Sequence, residues 1–365
     1  MPDLTPRAVA WAETMAGHAA SGVVRAHADS SARLATDSPV DRVAREAAEA
    51  ARLRPGAALA QGAGNRAIPE QPDPERTCFE RDRDRIVHST AFRRLAGKTQ
   101  VVVFPTDHQR TRLTHALEVA QVATSIARGV GANATLAEAI ALGHDCGHGP
   151  GGHASEDAFD PFLPGGYDHG PWGADVVLTS LNLCAETLDG IRNHSWSRPA
   201  PLTIEGEIVS WADRIAYCAH DLEDAIGAGI LSLDDLPEEI AEVTGRTRRE
   251  QLATFVHAAV SATCATGQVS MAPEPAAALA ALRAFNYERI YTREESVAQS
   301  RAVVAVLTAL VEYYAEHAAE LPSDLDRSDP VRAAVTYVGG MTDRFAFDAA
   351  LQLLGWDPAR LPKGQ

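Results

Sequence analysis

Apolar residues recur every three or four positions along much of the chain, which is the period of an amphipathic helix. Three such stretches are well defined, at residues 111–128, 133–145 and about 203–226. Glycines and a proline at 147–152 end the second stretch. Further helical patterns follow Leu236. The chain is therefore predicted to be all-α, a helical bundle with additional helices at both ends.

The first part of the chain has weaker patterns. Weak helical periodicity at residues 6–20 and 40–53 precedes a loop-like stretch at 55–74 that is rich in glycine, proline, alanine and glutamine. From Glu75 onward, charged residues are interspersed with apolar ones at helical spacing. We therefore predict three parts: an N-terminal extension with a mobile linker at 1–74, a core domain at 75–235, and a C-terminal helical region packed on the core at 236–365.

Composition agrees with a helical protein. Aromatic residues make up only 6% of the chain, and its alanine-rich runs suit helices better than strands. A short β-prone run at 101–104, followed by a polar loop at 105–109, is an exception. The five cysteines are odd in number and form no CxxC pair, which favours a reducing compartment. Because we find no membrane-spanning apolar stretch and no signal peptide, we predict a cytoplasmic protein.

The net charge limits the partners of the protein. With 49 acidic and 33 basic residues, the formal charge of −16 argues against nonspecific coating of nucleic acid. A nucleotide substrate remains compatible with this charge if arginines, lysines and a metal make one pocket locally positive. The basic residues between Arg81 and Arg112 are predicted to form such a cluster.

Four residues on predicted helices form a candidate metal site: His115, the dipeptide His144-Asp145, and Asp213. Two imidazoles and two carboxylates suit Mn, Fe, Ni, Co or Zn, and suit Mg when substrate phosphates help to coordinate it. A single His-Asp pair is more often a capped helix end. Here, however, residues 143–156 combine three histidines, an aspartate and a glutamate with five glycines, a composition that predicts a polar active-site wall.

Four sequence blocks around these residues, at 76–101, 107–120, 143–156 and 205–225, resemble one known family. This family is the HD-superfamily deoxynucleoside triphosphate (dNTP) triphosphohydrolases, which include bacterial dGTPases and the SAM-and-HD-domain dNTPases. The resemblance implies an HD-domain helical bundle with one divalent metal ion per site. It also implies hydrolysis of a dNTP to a deoxynucleoside and inorganic triphosphate, by attack of water at the α-phosphorus.

The resemblance assigns the catalytic roles to His153 and Glu156. They are three residues apart at the start of a predicted helix, so the carboxylate can orient the imidazole, although such pairs also occur as plain surface pairs. His148 would contact the α-phosphate or the leaving group, or would be a hydrogen-bonded loop histidine. The resemblance also points to substrate contacts at His169, Tyr217 and Asp221, and Arg112 and Arg214 are further candidates for binding the phosphates.

These substrate-contacting positions have separate expected roles. Arg112 lies one helical turn from His115 and would clamp a phosphate, or would form a salt bridge at the helix N-terminus. His169 resembles a histidine near the phosphates, within a block that departs from the usual Glu-His-Asn. Tyr217 and Asp221 match positions that contact the sugar, where an aromatic ring disfavours a 2′-hydroxyl.

Two departures from the family pattern affect the expected base preference. Bacterial dGTPases usually carry a second acid directly after the metal aspartate, whereas this chain has Arg214. A cation there can reach the triphosphate, so a guanine preference does not follow from the resemblance. The glycine-rich turn at 149–152 also lacks the phenylalanine that is common in this family.

Two other functions were weighed against this one. An HD-domain phosphohydrolase can act on a nucleoside monophosphate, a cyclic dinucleotide or an alarmone, but the block before His115 and the lack of Gly-Tyr-Pro after His144-Asp145 argue against these. A non-catalytic nucleotide sensor would not need His153 and Glu156. The resemblance also implies a homo-oligomer, with possible regulation by a nucleotide or by single-stranded DNA and no membrane partner.

Overall fold

The computed structural model describes residues 5–36, 38–101 and 108–362. The chain divides into two compact units, Met1–Val40 and Asp41–Gln365. The first unit contains helix α1, Pro6–Glu13, and an antiparallel hairpin of strands β1, His18–Ala20, and β2, Val23–Arg25. The helix predicted at 6–20 is thus too long, because Ser21 and Gly22 adopt positive φ and close the hairpin turn.

The second unit consists of α-helices joined by loops and short 3₁₀ and π turns, which confirms the all-α prediction. In the described residues these helices are α2 Arg42–Arg52, α3 Cys78–His88, α4 Thr90–Arg94, α5 Arg112–Val130, α6 Ala134–Gly143, α7 Ala154–Phe159, α8 His169–Trp172, α9 Ala185–Asn193, α10 Ile204–Gly227, α11 Glu238–Thr244, α12 Arg248–Thr266, α13 Pro273–Asn286, α14 Glu294–Glu316, α15 Pro330–Gly339 and α16 Asp343–Leu354.

Local signals explain where the central helices begin and end. The side chain of Asn133 accepts hydrogen bonds from the amides of Thr135 and Leu136 and so caps the N-terminus of α6. Thr203 caps α10 in the same way. Helix α5 ends at Gly131, whose φ of 77° is the left-handed conformation that favours glycine. All three predicted stretches are therefore helices within about two residues of their predicted ends.

The core lies where α5, α6 and α10 pack together. Small side chains such as Ala116, Ala123 and Ala139 are fully buried there and allow the helices to approach closely. Gly143, at the end of α6, lies so near α9 that a Cβ atom would be 2.5 Å from Ile191. The ends of these helices are therefore held rigidly, which matters because they carry the candidate metal ligands.

A second apolar cluster lies at the C-terminal end of the unit. Ala158 and Phe159 of α7 pack there with Val303, Val306 and Leu307 of α14, and helices α15 and α16 complete the cluster. Helix α7, which begins directly after His153, therefore takes its position from the C-terminal helices rather than from the core of α5, α6 and α10.

The segment at 55–74 is not the mobile linker that its composition predicted. The amides of Ala58 and Asn133 both donate hydrogen bonds to the buried carboxyl group of Glu205, and Arg66 forms a buried ion pair of 2.6 Å with Asp82. Glycine and proline enrichment marks irregular backbone, but buried polar contacts decide whether it is fixed. The boundaries predicted at 74 and 235 remain predictions.

Two sequence features fall largely outside the described residues. The β-prone run at 101–104 is described only at Val101, and the polar loop at 105–109 only at His108 and Gln109. Within the described ranges, no helix combines the length and apolar character needed to cross a bilayer.

Candidate metal and catalytic site

The structure brings together the four residues predicted as metal ligands. His115 lies in the first turn of α5, His144 and Asp145 follow α6, and Asp213 lies in the middle of α10. Nε2 of His115 is 3.1 Å from Oδ1 of Asp213 and 4.0 Å from Oδ2 of Asp145. Nε2 of His144 is 3.4 Å from Oδ1 of Asp145 and 3.7 Å from Oδ1 of Asp213. The ligand atoms of His115, His144 and Asp145 lie within 4.8 Å of one another, and Asp213 lies beside both histidines.

The orientation of His144 fits a metal. Its Nδ1 donates a 2.6 Å hydrogen bond to the carbonyl of Ala141, and its buried Nε2 has no hydrogen-bond partner among the described residues. Histidine ligands of metals typically donate their other ring nitrogen to such an acceptor. A buried, unsatisfied nitrogen between two carboxylates is costly unless a cation is present. The cluster can therefore hold a divalent metal ion.

The carboxylates of this cluster are ionised. Burial opposes ionisation of Asp145, but Arg112 and the nearby histidines outweigh it and hold its pKa well below the usual value. Burial also opposes ionisation of Asp213, and His115 lowers its pKa by a hydrogen bond. The pKa of His115 is raised, because the carboxylates outweigh its burial. These shifts all favour positive charge next to the carboxylates, as a bound divalent metal would provide.

Next to this cluster, Glu156 links two histidines. Its Oε2 is 3.0 Å from Nδ1 of His153, and its Oε1 accepts hydrogen bonds from the amide (3.0 Å) and Nδ1 (2.7 Å) of His169. Burial raises the pKa of Glu156, but these hydrogen bonds outweigh it and lower the pKa below its usual range. Both sequence-predicted catalytic residues therefore lie in direct contact, with His169 as a third member.

The hydrogen bonds determine the protonation of His169. Burial lowers the pKa of His194 to about 3, so its ring is neutral; its Nδ1 donates to the carbonyl of Ile191, and its Nε2 must accept. Nε2 of His169, 3.1 Å away, therefore carries a proton. Its Nδ1 carries another that it donates to Glu156. His169 is thus an imidazolium, in agreement with its raised pKa.

His148 joins the metal cluster to the Glu156 group. Its buried ring stacks on His169 with 3.7 Å between ring centroids, and its Nε2 lies 3.3 Å from Oδ1 of Asp145 without hydrogen-bond geometry. Burial, with Arg112 as a second cause, lowers its pKa well below the usual value. His148 therefore presents a neutral ring whose nitrogens have no hydrogen-bond partner in the described part of the chain.

All five residues predicted to contact substrate line one pocket of about 490 Å³, a volume within the usual range for ligand sites. Arg112 donates to Asp145 at 2.7 Å, while its Nε and Nη2 have no partner in the described part of the chain. The guanidinium group of Arg214 lies 3.5 Å from the ring centroid of Trp196. The salt bridge of Arg112, at the N-terminus of α5, joins it to Asp145, and its role in clamping a phosphate remains a prediction.

The sugar-contacting positions predicted on α10 are held by the C-terminal helical region. Nε of Arg283 donates a 2.9 Å hydrogen bond to the hydroxyl of Tyr217, and the hydroxyl of Tyr291 donates to Asp221. Both partners also line the pocket. The pocket is therefore shared between the helices that carry the metal cluster and the helices that follow residue 236.

The predicted basic cluster between Arg81 and Arg112 does not form in the described residues. Arg81 and Arg85 both bind Glu70, and Arg110 binds Glu118 and acids on α10. Only Arg112 of this set lines the pocket. Arg81, Arg85 and Arg110 pair instead with these acidic side chains, and Lys98 binds the carbonyls of His148 and Gly339.

Several pocket residues were not found from the sequence. They follow helix α9 or lie in the C-terminal helical region, and their spacing carries no metal or catalytic pattern. The residues concerned are His194, Trp196, Arg283 and Tyr291. A polar Asn-His-Ser-Trp run at 193–196 was the only local signal.

Asp221 provides a prediction about pH. Burial raises its pKa to about 7 from a usual 3.8, even though Tyr291 donates a hydrogen bond to it. The folded protein therefore binds this proton more tightly than the unfolded chain does. The stability contributed by Asp221 is complete below about pH 4 and is lost as pH rises through 7.

We expect Asp221→Asn to remove this pH dependence. The free energy of unfolding of the variant, relative to that of the unaltered protein, should increase as pH rises from 5 to 8, so that the variant becomes relatively more stable. Urea unfolding of chelator-treated protein across this range measures it, with the exposed Asp234→Asn as control. A constant difference between variant and unaltered protein at all pH values would contradict the prediction.

A helical bundle that gathers His, His-Asp and Asp from three helices at one pocket defines an HD-domain phosphohydrolase. Models of two families match: the HD domain at residues 112–218 and the phosphohydrolase-associated domain at 269–351. A deoxyguanosinetriphosphate triphosphohydrolase-like protein from Caldanaerobacter subterraneus is 40% identical over 305 residues, covering 80% of this chain and 90% of that protein. The chain therefore belongs to the deoxyguanosinetriphosphate triphosphohydrolase-like family of HD-domain phosphohydrolases.

Two further relatives carry the same description. One from Clostridium perfringens is 43% identical over 296 residues, covering 76% of this chain and 86% of that protein. Another, from Deinococcus radiodurans, is 36% identical over 369 residues, covering 85% of this chain and 98% of that protein. The similarity thus extends well beyond the residues of the site.

Proposed function

We propose that this protein hydrolyses deoxynucleoside triphosphates to a deoxynucleoside and inorganic triphosphate, by attack of water at the α-phosphorus. The observation that carries the proposal is the contact between two groups in one pocket. The His/Asp cluster and the His153–Glu156–His169 group meet at His148, which is close to both Asp145 and His169. The names of the relatives support a nucleoside triphosphate substrate.

His115, His144, Asp145 and Asp213 would hold the metal. When bound, a divalent metal supplies Lewis-acid activation of water and neutralises charge at phosphorus. Three cations that line the pocket would bind the phosphate chain: Arg112, whose Nε and Nη2 have no partner among the described residues, the imidazolium of His169, and Arg214. Phosphoryl transfer depends mainly on such positioned charge, so this set is suited to a triphosphate.

His153 would move the proton. Its Nδ1 faces Glu156, which leaves Nε2 as the atom that delivers a proton to the 5′-oxygen of the leaving deoxynucleoside. Glu156 holds the ring of His153 in place through this contact. The side chain of His153 is 73% exposed, so it can regain its proton from solvent after each turnover.

The opposite end of the pocket would bind the sugar and base. The ring of Tyr217, fixed by Arg283, and the carboxyl group of Asp221, fixed by Tyr291, form a rigid wall there. Arg214 lies beside Asp213, where bacterial dGTPases usually carry an acid. We therefore propose activity on several dNTPs, without a strong guanine preference.

The test is a product analysis. Each of the four dNTPs is incubated with the protein and Mn, Mg or Co in ¹⁸O-labelled water, and the products are separated by chromatography and weighed by mass spectrometry. We expect a deoxynucleoside and a triphosphate that carries the ¹⁸O. A nucleoside monophosphate with pyrophosphate, or label in the deoxynucleoside, would contradict the proposal.

The same panel includes the other candidate substrates: a nucleoside monophosphate, a cyclic dinucleotide and an alarmone. Turnover of one of these alone would indicate a different HD-domain phosphohydrolase. Tight dNTP binding without any product would indicate a sensor. The homo-oligomer, the regulatory nucleotide or single-stranded DNA, and the cytoplasmic location remain predictions.

A further inference from the structure

The glycine-rich loop at 147–152 is held by two buried charged residues from distant parts of the chain. Nζ of Lys98 donates hydrogen bonds to the carbonyl of His148 (2.5 Å) and to that of Gly339, at the end of α15 (3.0 Å). Oδ1 of Asp343, the first residue of α16, accepts from the amide of Gly151 at 2.8 Å. The loop is therefore tied to the C-terminal helices at both ends.

Asp343 also binds the segment that carries Lys98. Its Oδ2 accepts hydrogen bonds from the amide (3.0 Å) and the hydroxyl (2.5 Å) of Thr99, a residue that lines the pocket. The carboxyl group thus connects Thr99, Gly151 and α16 at one point. Asp343 lies within the residues that match the phosphohydrolase-associated domain, whereas Thr99 and Gly151 lie outside them.

Burial makes these contacts expensive to form and costly to lose. Lys98 is 3% and Asp343 is 4% exposed. Apolar residues at these positions would leave the amides of Thr99 and Gly151 and the carbonyls of His148 and Gly339 without these hydrogen bonds, which is unfavourable for buried polar groups. What a lysine and an aspartate add is a fixed position for the backbone, here the carbonyl of His148 and the amide of Gly151.

The shape of the loop depends on the same surroundings. Gly151 and Gly152 have φ of 71° and 65°, a conformation that favours glycine. A Cβ atom on Gly151 would lie 2.4 Å from Val303 of α14, and one on Gly152 would lie 2.8 Å from Nη2 of Arg112. The loop therefore fits between the C-terminal helices and the pocket, with His148 near its start and His153 directly after it.

We propose that Asp343 and Lys98 are positioning residues, which anchor this loop to the C-terminal helices and thereby place His148 and His153 at the correct distance from the His/Asp cluster. The proposal rests on the catalytic role proposed for His153. Neither residue is proposed to touch the substrate. The C-terminal helical region is then part of the catalytic unit, because it holds a loop that lies about 190 residues earlier in the chain.

The first test replaces Asp343 with asparagine, which has nearly the same size. One carboxylate oxygen becomes an NH2 group, which cannot accept a hydrogen bond from the amide of Gly151 or of Thr99. We expect kcat per metal-loaded enzyme to fall about tenfold, with KM within about twofold, because small displacements of catalytic groups have large effects on rate. The matched control is Asp348→Asn, an exposed aspartate on the same helix. Lys98→Met should behave like Asp343→Asn.

A double-mutant cycle distinguishes positioning from general destabilisation. If Asp343 acts through His148 and His153, Asp343→Asn should lower the residual kcat of the double variant His148→Ala/His153→Ala less than about twofold, because the groups that it positions are gone. An equal tenfold loss in both backgrounds, or a loss that merely follows the metal content, would overturn the proposal. If Asp343→Asn fails to fold, the variant Thr99→Val takes its place in the cycle. This change removes one hydrogen bond to the same carboxylate.

A measurement without turnover separates this proposal from the proposed function. In metal-loaded protein with ¹⁵N-labelled histidine, the imidazole resonances of His148 and His153 should shift in Asp343→Asn and stay unchanged in Asp348→Asn. Failure of dNTP hydrolysis with these shifts present would count against the reaction and support the anchoring. Unchanged resonances in Asp343→Asn would overturn the anchoring whatever the substrate.

Discussion

Replacing Asp145 with asparagine is expected to remove the metal and to lower kcat/KM for a dNTP by at least about a thousandfold, since the variant loses a charged ligand at the centre of the site. Asp145 lies within about 4 Å of His115 and His144 and also holds Arg112. The change thus disturbs both the metal and the phosphate-binding guanidinium group.

Asparagine is preferred to alanine at this position because its carbonyl oxygen still accepts a hydrogen bond from Arg112. Alanine would leave that guanidinium group buried and unpaired, which costs about 3–5 kcal/mol. Metal content by elemental analysis and initial rates measure the effect, and Asp157→Asn, an exposed change on α7, is the control. Full metal content in Asp145→Asn would show that Asp145 is not a ligand.

The second large effect is expected at His153. The change His153→Ala should lower kcat by roughly a hundredfold to ten-thousandfold, the usual contribution of a general acid or base, while the metal content stays the same. The melting temperature should change little, because the side chain is 73% exposed. A loss of kcat with unchanged metal content and melting temperature would distinguish the role of His153 from that of Asp145.

The measurement compares kcat, metal content and melting temperature of His153→Ala with those of His257→Ala, an exposed histidine on α12. Loss of metal in His153→Ala would contradict its assignment to proton transfer. Activity within about twofold of the unaltered protein would exclude it as the general acid. Glu156 is a less selective target, because it also holds His169 through the amide and Nδ1 of that residue.

In the proposed reaction, different parts of the chain contribute different parts of the pocket. Helices α5, α6 and α10 supply the metal cluster, and helix α7 with its preceding residue supplies His153 and Glu156. The C-terminal helices supply Arg283 and Tyr291 at the sugar-binding end. Substitutions after residue 236 can therefore alter substrate preference without touching the metal.

The sequence by itself determined the features that depend on residues close together along the chain. The helices α5, α6 and α10 follow from their apolar period and caps, and His153 contacts Glu156 because residues three apart meet at a helix start. The sequence also predicted the residue types of the proposed ligand set, because His115, His144-Asp145 and Asp213 are two histidines and two aspartates on predicted helices. The family resemblance rested on these same blocks.

Only the tertiary structure decided the contacts between distant residues. Arg81 and Arg85 bind Glu70 rather than the pocket, Trp196 stacks on Arg214, and Asp343 binds Gly151. No period or local motif predicts such pairs, because each depends on how packed helices place side chains that are far apart in the chain. Nε2 of His144 has no hydrogen-bond partner in the residues that the structure describes. This too depends on tertiary structure, because the packing around α6 excludes other donors and acceptors from the nitrogen.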